Sequence, residues 1–337
     1  MDERAQQKQL WTASNVQGGA LLIYRVIMNV AVFAVVFVIA MVGAMAAVFG
    51  TAFDAFVNGG ATSEISPDFM EQIMEAAMNN MGWGYLTAVA IGLLILLLWK
   101  KPRWFAEICT PGEQMRPGIF LAAICAMLFA QLFVQIFVVI LDSLLSGFGV
   151  SVTEFLEENA ASTDSLSMFL YITIAAPVSE EILFRGLVMR SLQPYGKKLA
   201  LIASALLFAL FHGNPIQIPF AFVMGLLLGY LTQRYHIGWA VLLHLINNLV
   251  LGDLLPRFVD QIPYEWGNLL FWFLLAAGSV GAMAYALHRK DAIKRILQED
   301  ALQNWQLKGF ITSPCILILI GMCGIDTLIV IATILLF

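Results

Sequence analysis

The chain has 337 residues, 60% of them hydrophobic and only 12% charged, with a mean hydropathy of +0.83. Soluble domains carry roughly a quarter charged residues, so a soluble globular protein is excluded. The net charge of -5 comes without any basic run of the kind that binds nucleic acid, which is not an expected partner.

Apolar stretches near the length of a bilayer crossing, with shorter ones allowed where polar residues interrupt, fall at about 21–50, 84–99, 117–141, 167–190, 199–212, 216–233, 237–252, 266–287 and 309–337. They predict an all-α, polytopic transmembrane helix bundle of about nine spans. The first stretch is too long, starts too late and lacks the tight basic flank of a signal peptide, so it is expected to stay attached. The segments after spans 2, 4, 6 and 8 hold the Lys and Arg, including Lys100, Arg103, Arg116, Arg190, Lys197, Arg234, Arg289 and Arg295. The loops after spans 1 and 3 hold Asp and Glu only. By the positive-inside rule the N-terminus is cytoplasmic and the C-terminus is outside.

Two further stretches read as helices that do not span. Ser66-Pro67-Asp68 starts one, whose Met70, Ile73, Met74, Ala77 and Met81 share an apolar face, as expected of an outer-surface helix. The stretch 289–308 sets Ile293, Ile296, Leu297 and Leu302 among charges, which suits a cytoplasmic interfacial helix. Gly225 and Gly229 form a GxxxG that reads as close helix packing. Cys109, Cys125, Cys315 and Cys323 have no disulfide or zinc-knuckle spacing.

Ionisable residues inside hydrocarbon cost about 2.5 to 3.5 kcal/mol each on insertion scales, so they need a partner or a purpose. They cluster in three places: Pro177-Val178-Ser179-Glu180-Glu181-Ile182-Leu183-Phe184-Arg185, Phe208-Ala209-Leu210-Phe211-His212, and His244-Leu245-Ile246-Asn247-Asn248. Glu181 and Arg185 stand one helical turn apart and can pair, while Glu180 is rotated by about 100° and can point elsewhere. His244 and Asn248 are also one turn apart and can bind a common oxygen. Counting about 1.5 Å per residue from the basic helix ends, these groups can meet in a cavity within the membrane. Peptide hydrolysis there needs a base to activate water and donors for the oxyanion. Glu180 with His212 can supply the first, His244 with Asn248 the second, and Arg185 and the histidines can offset the burial of carboxylate charge. The competing readings are a structural Glu181–Arg185 pair and interhelical hydrogen bonds from the histidines. His236 and His288 read as solvated, and Asp326 in the last span has no assigned role.

Glu180-Glu181-x-x-x-Arg185, Phe208-x-x-x-His212 and His244-x-x-x-Asn248, in that order, resemble the three motifs of the CPBP family, which includes type II CAAX prenyl endopeptidases and bacteriocin-processing or immunity proteins. The resemblance covers 167–252. It implies an intramembrane endopeptidase in which Glu180 activates water with His212, His244 and Asn248 stabilise the oxyanion, and Glu181 and Arg185 support the site. Members have been described as metalloproteases and as glutamate proteases. No His-Glu-x-x-His signature is present, which favours a metal-free site with no cofactor, although Glu180, His212 and His244 are the residues that would ligate zinc. The chain then divides into spans 1–3 with their outer loops (1–166), the catalytic core of spans 4–7 (167–252), and spans 8 and 9 with the interfacial helix (253–337). The expected partners are the lipid bilayer and a membrane-associated peptide or protein substrate, with the plasma membrane as the expected location. Two other functions use the same polar cluster: a non-enzymatic immunity or peptide-binding protein, and a proton-coupled transporter.

Overall fold

The computed structural model describes residues 2–58, 69–158, 163–298 and 301–336, and every regular element among them is helical. In chain order these are α1 (Glu3–Asn58), α2 (Phe69–Ile108), α3 (Pro117–Leu145), α4 (Val152–Glu158), α5 (Leu166–Tyr195), α6 (Lys197–Phe211), α7 (Gln217–Arg234), α8 (Ile237–Val259), α9 (Tyr264–His288), α10 (Lys290–Gln298), α11 (Asn304–Ile311) and α12 (Pro314–Leu336). Seven of them, α1, α2, α3, α5, α8, α9 and α12, are long and apolar enough to cross a bilayer. The molecule is an integral, multi-pass membrane protein. The remaining two expected spans form as α6, of 15 residues, and α7, of 18, which fall short of the others in length or apolarity.

Several boundaries differ from the sequence reading. The start of the expected outer-surface helix, at 66–68, lies outside the described residues. From Phe69 onward the chain forms no separate element but the first part of α2, which runs on into the second span and is interrupted at Lys101, where φ is 68° ahead of Pro102. The expected interfacial helix is two pieces, α10 and α11. Gln303 opens α11 through a capping box with Gln306, whose amide also donates to the Tyr195 carbonyl at 2.5 Å. His236 is not merely solvated: its Nδ1 accepts from the Gly238 N–H at 2.9 Å, capping α8, so its Nε2 carries the proton that goes to the Cys109 carbonyl at 2.7 Å.

The chain forms two compact units. The smaller comprises Ile23–Lys101 and Ser162–Ala176. Within it a Cβ on Gly82 would collide with the Ser167–Met168 backbone, so this position needs glycine for the helices to approach, and Tyr85 stacks on Tyr171 at 4.5 Å.

The larger unit comprises Met1–Leu22, Pro102–Ala161 and Pro177–Phe337. In it the first turns of α1 dock on the junction of α11 and α12. Trp11 Nε1 donates to the Thr312 carbonyl at 3.1 Å, and Asn15 Oδ1 accepts from Ser313 Oγ at 3.3 Å and from the Cys315 N–H at 3.1 Å. The GxxxG glycines act as expected: a Cβ on Gly225 would sit 2.8 Å from Ala205 Cα, and one on Gly229 would sit 2.5 Å from Leu201 Cδ1. This contact lets α6 and α7 pack closely. A core of Met127, Met224, Leu228, Leu231, Leu243 and Tyr235 then joins α3, α7 and α8. The three motif-bearing stretches all lie in this unit.

Candidate active site

Two of the three motifs fall where the helices abandon regular α geometry. In α5 the segment Glu181–Met189 is π-helical, and in α8 the segment Ile246–Leu254 is too. Such widened turns arise where side chains demand a register that 3.6 residues per turn does not give, and they recur at functional sites. Ser204 on α6 donates to the Phe184 carbonyl at 2.7 Å, tying the first widened segment to its neighbour.

The two adjacent glutamates have different surroundings. Glu181 is fully buried, and its Oε1 accepts from Arg185 Nη1 at 3.0 Å, the pairing that the spacing predicts. Arg185, also buried, donates from Nη2 to the Gly225 carbonyl at 3.1 Å, and its guanidinium lies 4.4 Å from the centre of the Phe208 ring. Glu180 keeps 25% of its side chain exposed. One carboxylate is therefore neutralised in place and the other stays accessible.

His244 bridges the pair. Its Nδ1 is 2.9 Å from Glu181 Oε1. An ionised carboxylate only accepts, so Nδ1 carries a proton and donates it. Its Nε2 faces Glu180 Oε2 at 3.7 Å, beyond hydrogen-bond range, so the two atoms are apposed without being bonded. At the C-terminal cap of α6, His212 Nδ1 is 2.8 Å from the Phe208 carbonyl. A carbonyl also only accepts, so in the neutral ring the lone pair lies on Nε2. Gly213, with φ of 65°, then turns the chain, and a Cβ there would meet Asp326 Cβ at 3.1 Å. Asp326, unassigned by sequence, thus abuts the turn behind His212.

Asn248 lies in the widened part of α8, and its Oδ1 accepts from Asn247 Nδ2 at 3.0 Å, which orients its NH2 group away from that neighbour. The structure gathers Glu180, Glu181, Arg185 and His244 by direct contact. His212 joins through Phe208, whose ring meets His212 edge-on at 4.9 Å and His244 at 5.7 Å. Phe208 and the Gly225 carbonyl are the partners that sequence reasoning missed. Phe208 was legible only as the fixed letter of its motif, and Gly225 only as a packing residue.

The donor set does not fit zinc as it stands. Among the described residues no three His, Cys, Asp or Glu side chains converge as a metal site, and Glu180, His212 and His244 as placed do not form one.

The site thus holds a partly exposed carboxylate, a second carboxylate locked to a guanidinium and an imidazole, and a second imidazole nearby, all within helices of a multi-pass membrane protein. Residues 162–250 match the family model described as type II CAAX prenyl endopeptidase Rce1-like, which supports the resemblance drawn from the three motifs. No curated protein and no solved structure matches the chain.

Proposed function

We propose that the protein is an intramembrane endopeptidase of the glutamate type, hydrolysing a peptide bond of a membrane-associated peptide or protein. The observation that carries this reading is the division of labour between adjacent carboxylates: Glu181 is buried and committed to Arg185 and His244, while Glu180 is accessible and apposed to His244 Nε2.

In this mechanism Glu180 takes a proton from water, assisted by the lone pair on His212 Nε2, and the water oxygen attacks the peptide carbonyl carbon. His244, protonated at both nitrogens, donates from Nε2 to the developing oxyanion. The Glu181 carboxylate on Nδ1 holds the ring and stabilises its positive charge, as a carboxylate does behind a catalytic histidine. The NH2 group of Asn248 is the second donor to the oxyanion. Collapse of the intermediate breaks the C–N bond, and Glu180 returns its proton to the leaving amine. The 3.7 Å between Glu180 Oε2 and His244 Nε2 suits the task, since the attacking water and the carbonyl oxygen become neighbours on one carbon.

The reading includes the topology drawn from Lys and Arg placement: N-terminus in the cytoplasm, nine crossings and a plasma-membrane location. Within it α6 and α7 complete the crossings despite their shortness. Much of α6 is covered by neighbouring helices, with Ala200, Ala203, Ser204, Leu207 and Phe208 buried. The test is cleavage by membranes containing Glu180→Gln or His212→Ala at matched protein level. Both should lose turnover while remaining inserted and folded; turnover retained in either would overturn the mechanism.

A further inference from the structure

Away from the glutamates, a cavity of about 780 Å³ opens where α3 begins and α7 and α9 end. Three arginines from three different helix ends, Arg116, Arg234 and Arg289, line it. Glu113 is the single acid in its lining, and it pairs with Arg234 at 2.9 Å. Three cations against one anion leave a charge of +2 at the mouth. The rest of the wall includes the half-buried Ala122, Ala126 and Ala282 and the exposed Ala286, small side chains that leave a slot between α3 and α9. Ile293 of the basic amphipathic helix α10 closes one side. Because α3 and α9 are long and apolar enough to span, Arg116 and Arg289 at their ends fall at headgroup level, and the alanines lie further along the same helices towards the hydrocarbon.

We infer that this cavity binds one anionic glycerophospholipid, its phosphate between Arg116 and Arg289 and an acyl chain in the alanine slot. Charge complementarity argues for the phosphate, because basic pockets between spans at the leaflet surface hold acidic headgroups. The size falls in the range of small-molecule sites. The joined polar mouth and apolar slot select an amphiphile over a free anion. Lipid binding here does not depend on the protease reading.

The test is native mass spectrometry of the full chain, purified in dodecyl maltoside and offered dioleoyl phosphatidylglycerol or dioleoyl phosphatidylcholine. One phosphatidylglycerol should be retained in preference to phosphatidylcholine. At about fivefold per arginine, R116Q/R289Q should weaken its binding on the order of twentyfold. Both arginines are exposed, so folding is not at risk. Ala286→Phe, which fills the slot and keeps the charges, should also abolish the preference, and millimolar inorganic phosphate should not displace the lipid. Equal retention of the two lipids, or a preference that survives R116Q/R289Q, overturns the inference. So does a preference that survives Ala286→Phe, which would show diffuse surface attraction, or displacement by phosphate, which would show a simple anion site.

Discussion

Replacing Arg185 by leucine removes the guanidinium from a fully buried carboxylate and leaves it only the hydrogen bond from His244 Nδ1. In the native site Arg185 donates to Glu181 Oε1 and to the Gly225 carbonyl, while Glu181 Oε2 is buried without a hydrogen-bond partner. Breaking a buried pair from one side costs about 3 to 5 kcal/mol, because the remaining charge is uncompensated. The orphaned carbonyl adds to this, within about 1 to 3 kcal/mol. A loss of about 4 kcal/mol, the sum of the two lower limits and nearly a thousandfold in the folding equilibrium, is the minimum expected. The double replacement Glu181→Leu/Arg185→Leu should recover much of it, since a buried ion pair exchanged for apolar groups is often neutral. It cannot recover all, because His244 Nδ1 then loses its acceptor. The assay is unfolding of purified protein in mixed micelles by added sodium dodecyl sulfate, followed by tryptophan fluorescence. A single variant that loses under about 1 kcal/mol, or a double variant no more stable than the single, would refute the claim that the pair acts as a buried unit.

Two glycines carry related predictions. Gly225→Ala puts a Cβ 2.8 Å from Ala205 Cα, so α7 must shift and take with it the carbonyl that holds Arg185. A stability loss of about 1 to 3 kcal/mol and a lower cleavage rate are expected, read by the same titration and by turnover. Gly213→Ala forces a side chain into φ of 65°, at about 1 to 2 kcal/mol, and presses it on Asp326 behind His212. Turnover should fall by more than the unfolded fraction explains, which comparison of rate with folded protein will show.

What the sequence made legible came from short-range spacing. The Glu181–Arg185 pair was readable because residues four apart share a helix face, and the long helices were readable from their apolar length. The contact between His244 and Glu181 was not, since 63 residues separate them and only the packing of α5 beside α8 brings them together. The widened turns at Glu181–Met189 and Ile246–Leu254 also escaped, because apolar periodicity carries no mark of a register that side-chain packing imposes. Arg185 looked complete with one partner in sequence, yet its second bond is to the backbone of a glycine that only the approach of α6 and α7 explains. The division of 289–308 into α10 and α11 depends on the Gln303 cap and on Gln306 reaching Tyr195, a bond across 111 residues.

The most direct test of the central claim is a comparison of peptide termini in membranes from cells expressing the wild type or Glu180→Gln at equal levels. Termini present with the wild type and missing with the variant are the predicted result, and they would identify the substrates. Identical sets of termini, with the variant folded and its phenotype intact, would contradict the account and make the polar cluster a binding site.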